Sequence, residues 1–214
     1  MSRISVLGGT GYAGSAVVGE AVSRGHQVTS VSRHEPTDKI RGVDYVIGSV
    51  PDPEVLQVSV AEHDVVIEAV SPRGDMAGEE EGLVDRLIDL TSGTGTRLGV
   101  IGGASSLLVE EGGPRLYDVS EMPPEVRPEI ETGMATLEAL KAAPLDVDWF
   151  YVSPPASFGA WVPAPATGSY RLSEDVLLKD DAGNSTISAA DLARAILDEI
   201  EQPKFHRRRF HAAH

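Results

Sequence analysis

The chain has 214 residues, 41% of them hydrophobic and 24% charged; this suits one α/β domain with a sizeable core and leaves little room for a second. Its formal net charge of −15 repels nucleic acid and anionic membrane over most of the surface. There is no cysteine, which excludes disulfides, thiolate metal sites and cysteine nucleophiles.

Arg3–Leu7 reads as a short apolar strand that starts almost at the N-terminus, so no signal peptide is expected. No apolar run is long enough for a bilayer, and a cytoplasmic protein is the expectation. Gly8-Gly9-Thr10-Gly11-Tyr12-Ala13-Gly14 follows, then a helical pattern over Ser15–Arg24 that Gly25 closes. Gln27–Ser32 and Val43–Ile47 are the second and third strands, and Pro53–Ala61 is a helix opened by proline. Val65–Val70 reads as a continuous apolar strand of the kind buried in parallel sheets. Glu79–Leu90 is an amphipathic helix, Arg97–Ile101 the fifth strand, Ile130–Lys141 the next helix and Val147–Val152 the sixth strand.

This alternation predicts an α/β, Rossmann-type doubly wound parallel sheet with helices on both faces, in a single domain over residues 1–214. After Val152 the character changes. Residues 153–186 carry Pro154, Pro155, Pro163 and Pro165 with Phe158 and Trp161 among them, and read as a small C-terminal, substrate-covering loop or lid. Tyr170–Leu172 and Val176–Leu178 look like short strands. Ser188 opens a final helix to about Glu201, with Asp191 as its capping-box partner. Arg207-Arg208-Arg209 is the one clear basic run, read as a solvated terminal strand or tail, with an anion site as the alternative. His206, His211 and His214 read as surface or disordered tail residues, and the six histidines make no convincing metal site.

The glycines carry the first functional argument. They lie directly after a strand and before a helix, in the first βαβ unit, which is the context a dinucleotide turn requires. One glycine permits the tight turn, one lets the backbone approach a pyrophosphate, and the last lets the helix pack close. The helix N-terminus then aims free N–H groups at the phosphate. NAD-specific domains carry a carboxylate near the end of the second strand for the ribose 2′-hydroxyl. Here that end reads Val31-Ser32-Arg33-His34, with Glu35 two residues beyond Arg33. Arg33 can pair a 2′-phosphate and stack on adenine, so NADP(H) is preferred and NAD(H) is the alternative. His34 reads as a surface histidine.

Several segments together resemble the atypical short-chain dehydrogenase/reductase superfamily: the turn, Arg33, Ala69-Val70-Ser71-Pro72-Arg73-Gly74, Gly102-Gly103-Ala104-Ser105-Ser106-Leu107 and Ser153-Pro154-Pro155. Within it the chain is most similar to NADH-flavin reductases of the biliverdin-reductase-B type. Gly168-Ser169-Tyr170-Arg171, Ile187–Ala193 and Arg207–Phe210 extend the likeness to the C-terminus. The resemblance implies that Gly8, Thr10, Gly11, Tyr12 and Gly14 touch the pyrophosphate and that Arg33 holds the 2′-phosphate. Ser49 and Val50 would lie by the adenine, although many relatives have Asp where this chain has Ser49. Ala69, Val70 and Ser71 would line the nicotinamide ribose, and Ser153 and Pro154 would meet the carboxamide.

Carbonyl-reducing members of that superfamily use a Tyr proton donor with a Lys four residues later. No Tyr of this chain has Lys at that spacing; the corresponding positions are Ile130 and Met134. Flavin or quinone reduction asks less, because the acceptor ring takes hydride directly and delocalises the charge. Ser105 and Ser106 occupy the place of the superfamily's catalytic serine, and Trp161, Phe158 and Tyr117 could stack on a flat substrate. The reading is an NAD(P)H-dependent oxidoreductase whose small-molecule acceptor is a flavin, FMN included, or a quinone-like ring. The alternative is a redox sensor that binds NADP(H) without turnover; an epimerase is disfavoured by the missing Tyr-Lys pair. A Ser-His-Asp hydrolase is disfavoured because no Gly-x-Ser-x-Gly is present.

Overall fold

The computed structural model describes residues 1–76 and 78–214. Strand β1 (Arg3–Leu7) pairs in parallel with β2 (Gln27–Ser32) on one side and β4 (Val65–Glu68) on the other. Beyond β2 lies β3 (Val43–Ile47). Beyond β4 come β5 (Arg97–Ile101), β6 (Trp149–Ser153) and β8 (Arg208–Ala213), all parallel, and β7 (Arg171–Ser173) closes that edge antiparallel to β8. The eight-stranded order is β3-β2-β1-β4-β5-β6-β8-β7. The sheet grows in opposite directions from β1 and β4, so their carboxyl ends form the switch point at which such sheets leave a crevice.

Helices α1 (Tyr12–Ser23) and α6 (Ala189–Glu201) cover one face, where Val17, Val18, Leu192 and Ile196 pack on Ile4, Val28 and Phe210. Helices α2 (Pro53–Ala61), α3 (Glu80–Thr91) and α5 (Arg127–Ala142) cover the other, where Leu56, Leu83, Leu87 and Leu140 pack on Leu7, Val66 and Leu98. Full burial of each such leucine contributes roughly 1.5–3 kcal/mol, which ties both helix layers firmly to the sheet. A short helix, α4 (Leu116–Val119), sits in the connection between β5 and α5.

Several sequence expectations need correction. The apolar strand at Val65–Val70 ends at Glu68, a carboxylate with 0% exposure whose Oε1 accepts from Val70 N at 2.7 Å. Ala69 N still bonds Leu7 O at 2.9 Å, and Val70 N then turns to the Glu68 side chain. Val176–Leu178 forms no strand; Val176 makes only an isolated bridge to Leu108. α1 starts at Tyr12 rather than Ser15, because Gly11 already has the extended geometry of an N-cap. Of the two forms expected for the Arg207–Arg209 run, the strand is the one present: Arg208 and Arg209 begin β8, with Arg208 exposed and Arg209 turned inward. Arg207 donates to the carbonyls of Ala143, Pro144 and Val147 just past the end of α5. His211 is fully buried and His214 pairs with Asp191 at 2.8 Å, leaving His206 as the exposed member of that group. The cap at α6 uses Ser188 Oγ to accept from Asp191 N at 2.9 Å.

Candidate functional site

A cavity of about 800 Å³ opens at the carboxyl ends of β1, β4, β5 and β6, a size within the roughly 300–1,000 Å³ range of small-molecule clefts. One wall is the turn between β1 and α1. Gly8 has φ +81°, and a Cβ there would stand 2.8 Å from Ala69 O. A Cβ on Gly14 would lie far inside van der Waals contact of Gly8 O, so the helix rests on the turn itself. Gly11 differs: it lines the cavity, and its Cβ would meet only Gly8 O, at 3.2 Å. No side chain caps α1, and its first turn contains no acidic residue. The N-terminal N–H groups and positive dipole end of α1 thus stand beside the cavity.

Thr10, Tyr12, Arg33, Val50, Ala69, Val70, Ser71 and Pro154 line the same cavity as Gly8 and Gly11. Arg33 follows directly on β2 and is exposed. Among the remaining residues expected at the cofactor, Gly14 lies behind the turn as packing. Ser49 is exposed away from the cavity. Ser153 is fully buried behind the wall, where its carbonyl accepts from His211 Nδ1 at 2.8 Å. Burial holds the His211 imidazole below its ordinary value of 6.5, and that backbone bond offsets it only in part.

The opposite wall comes from β5, α5 and the segment after β6. Ser105 and Ser106 both line the cavity. Ser106 Oγ accepts from Arg209 Nη1 at 2.7 Å, across a sequence separation of 103 residues. Ile130 and Met134, the two α5 residues that the sequence reading set against a Tyr-Lys pair, also line it. Tyr151 forms part of this wall, a role the sequence reading did not assign. Its hydroxyl donates to Gly133 O and accepts from Gly103 N, both at 3.0 Å, fastening the loop after β5 to α5. Gly102 is required beside it, since a Cβ there would overlap the Tyr151 ring.

The proline-rich segment crosses the mouth. The Phe158 ring packs on Tyr12 of the glycine turn at 5.2 Å. Trp161, 69% exposed, lies over the Arg73 guanidinium at 5.4 Å, and Arg73 Nε pairs with Glu129 at 2.5 Å. These contacts link the loop after β4, α5 and the mouth segment. The base of the segment is tied down by Asp191, which accepts from Thr167 N at 2.8 Å and Gly168 N at 2.9 Å. Burial pushes the Asp191 carboxyl up, but the bonds from Thr167, His214 and Ser188 outweigh it and hold the carboxyl below its usual range. Tyr117, expected as a stacking residue, points elsewhere: its hydroxyl bonds Glu131 at 2.6 Å and it does not line the cavity.

The arrangement fits a dinucleotide. Gly8 and Gly11 leave bare backbone along the turn, Arg33 brings a guanidinium to the same cavity, and Ile130, Met134 and Phe158 give its far side apolar surface. Residues 8–203 match the model of a family described as NAD(P)H-binding. The uncharacterized protein YwnB of Bacillus subtilis is 35% identical, the match covering 97% of this chain and 96% of YwnB. A structure described as a "putative NADH-flavin reductase", from Streptococcus pneumoniae, superposes with a TM-score of 0.89 at 29% identity, covering 100% of this chain and 99% of the other. A "putative epimerase" from Bacteroides thetaiotaomicron superposes with a TM-score of 0.86 at 32% identity, covering 99% and 96%.

Proposed function

The chain belongs to the NAD(P)H-binding family, and from that premise we propose that it is a reductase that takes hydride from NADPH and delivers it to a flat flavin or quinone-like acceptor. The observation that carries this reading is the composition of the wall facing the glycine turn. Ile130 and Met134 occupy it in place of a proton donor and its lysine, with Ser105 and Ser106 at its edge. An alkoxide-forming reduction needs a delivered proton, whereas a conjugated ring spreads the incoming charge and chiefly needs stacking and orientation. The same apolar pair argues against epimerase chemistry, despite the name carried by one similar structure.

Bound NADPH supplies the hydride. Gly8, Thr10 and Gly11 with the α1 N-terminus hold the pyrophosphate, and Arg33 pairs the 2′-phosphate. Ala69, Val70, Ser71 and Pro154, which line the cavity beside the turn, would hold the nicotinamide end. Met134, Ile130 and Phe158 receive the acceptor ring, and Trp161 with Arg73 closes the mouth over it and limits water.

Stopped-flow oxidation of NADPH with FMN, riboflavin, menadione and a panel of simple aldehydes tests the proposal. The expected result is turnover with a flavin or the quinone and none, or very slow turnover, with aldehydes. Fast aldehyde reduction without flavin or quinone activity contradicts it. Tight NADPH binding with no turnover of any acceptor favours a sensor.

A further inference from the structure

We propose that Arg209 is a positioning residue for the acceptor: it holds Ser106 so that the serine hydroxyl donates into the cavity, toward the negative charge that hydride addition creates. This rests on the reductase reading above. A guanidinium has donors only, so at 2.7 Å from Arg209 Nη1 the Ser106 oxygen accepts, and its own hydrogen is left for another partner. Ser106 lines the large cavity and also a second one of about 260 Å³, whereas Arg209 lines only the second. Arg209 therefore reaches the acceptor side through Ser106 and not by itself.

The arginine is well placed to do this. Its side chain is only 8% exposed. It stands on β8, between β6 and β7, and Asp175 anchors its Nε at 3.0 Å and also binds Nη2. The other charged groups around the smaller cavity are committed in pairs, Arg115 to Asp118 and Lys141 to Glu138. A buried cation polarising a hydroxyl acts more strongly than the same pair in water. Ile130 and Met134 offer no competing donor on the α5 side.

In the step itself the acceptor gains a hydride, with its electron pair, from the reduced nicotinamide, which is left oxidised. The acceptor anion then takes a proton from water. Ser106 hydrogen-bonds that anion and keeps its own proton, so the sum is acceptor, NADPH and one proton giving the dihydro acceptor and NADP⁺.

The test is a double-mutant cycle of Ser106→Ala and Arg209→Gln, read by stopped-flow with NADPH and menadione. Each single variant is expected to lower kcat about tenfold, the value of one strengthened hydrogen bond. The double variant is expected to lose about tenfold as well, not about a hundredfold, because the two residues act as one unit. KM for NADPH stays unchanged, and Arg209→Lys recovers part of the rate. A second readout needs no turnover. 4-Nitrophenol bound to the NADP⁺-loaded protein is titrated by its visible phenolate band. Wild type favours the bound phenolate over the phenol, and Arg209→Gln loses that preference. Multiplicative losses in the cycle, a parallel loss of NADPH affinity, or unchanged ionisation of the bound phenol overturns the proposal. Should Arg209→Gln fail to fold, Asp175→Ala, at an exposed carboxylate, removes the oxygen that accepts from both Nε and Nη2 of Arg209 and is expected to repeat both effects. A wild type that turns over no acceptor refutes the reductase reading alone, and the phenol titration then decides the role of Arg209.

Discussion

The two walls of the cavity are built from different materials. At the turn between β1 and α1 the surface is backbone: glycines that pack on one another and a helix end with its N–H groups turned outward. Across the cavity it is side chains, brought together from the loop after β5, from α5, from the mouth segment and from β8. A backbone wall is made by neighbours in sequence and recognises what every dinucleotide shares, its phosphates. A side-chain wall is assembled by the fold and, on the reductase reading proposed above, would select among acceptors. Substitutions on the first should therefore act on binding or folding outright, and those on the second should grade the acceptor step.

The largest expected effect is at Gly14. Its Cβ would be driven into Gly8 O, so Gly14→Ala should cost about 1–3 kcal/mol of stability and abolish nucleotide binding. Thermal melts with calorimetric titration check this; an unchanged Tm would break the claim that the turn and helix are packed without slack.

Arg33 adds a charged side chain to the backbone wall. Arg33→Ala should weaken NADPH about tenfold to a hundredfold, for about 1.5–3 kcal/mol in a charge-assisted pair. NADH should be affected less than about twofold, since it offers no 2′-phosphate for the pair. Equal losses for both cofactors, by calorimetry, would remove the 2′-phosphate role.

On the other wall the effects shrink. Trp161→Ala removes an exposed contact with Arg73 worth about 0.5–1 kcal/mol. The expected result is a two- to fivefold rise, roughly, in KM for the acceptor with no change in KM for NADPH. A matching change in NADPH affinity would mean that the mouth segment serves the cofactor and not the acceptor.

This division also explains how much could be read beforehand. The turn and the parallel strands were legible because each is written in adjacent residues: Gly8 to Gly14, then helical spacing, then Gly25. Glu68 escaped attention because five apolar neighbours masked it. The Arg209–Ser106 bond could not be read at all, since nothing in a run of three arginines tells which one points inward. β8 gives them separate tasks: Arg207 caps α5, Arg208 pairs with Glu174, and Arg209 holds Ser106. The histidines misled for the same reason. His211 looked like a tail residue, yet the strand around it inserts between β6 and β7.

The smallest effect concerns that histidine. Burial keeps His211 neutral, with its folded value below 6.5, and His63 is depressed in the same direction and by the same cause. The unfolded chain then binds more protons than the folded one as pH drops below about 6.5, so stability declines toward acid. Asp191 acts in the same sense at lower pH, because its depressed carboxyl contributes stability that is lost as pH falls through its folded value. Melts between pH 7 and 5 should show a falling Tm, and His211→Asn, which keeps a donor for Ser153 O, should flatten the curve in that window. A Tm that rises toward pH 5 would contradict the burial argument.

The most direct test of the whole account is a calorimetric titration of NADPH into the Gly11→Val variant beside wild type. Gly11 lines the cavity, and a Cβ there would meet one protein atom, Gly8 O, at a tight 3.2 Å. The expected result is a variant that keeps its fold by circular dichroism, with at most a small drop in Tm as Gly8 O gives way, yet shows no binding of NADPH, while wild type binds. A folded Gly11→Val protein with wild-type affinity for NADPH would contradict it.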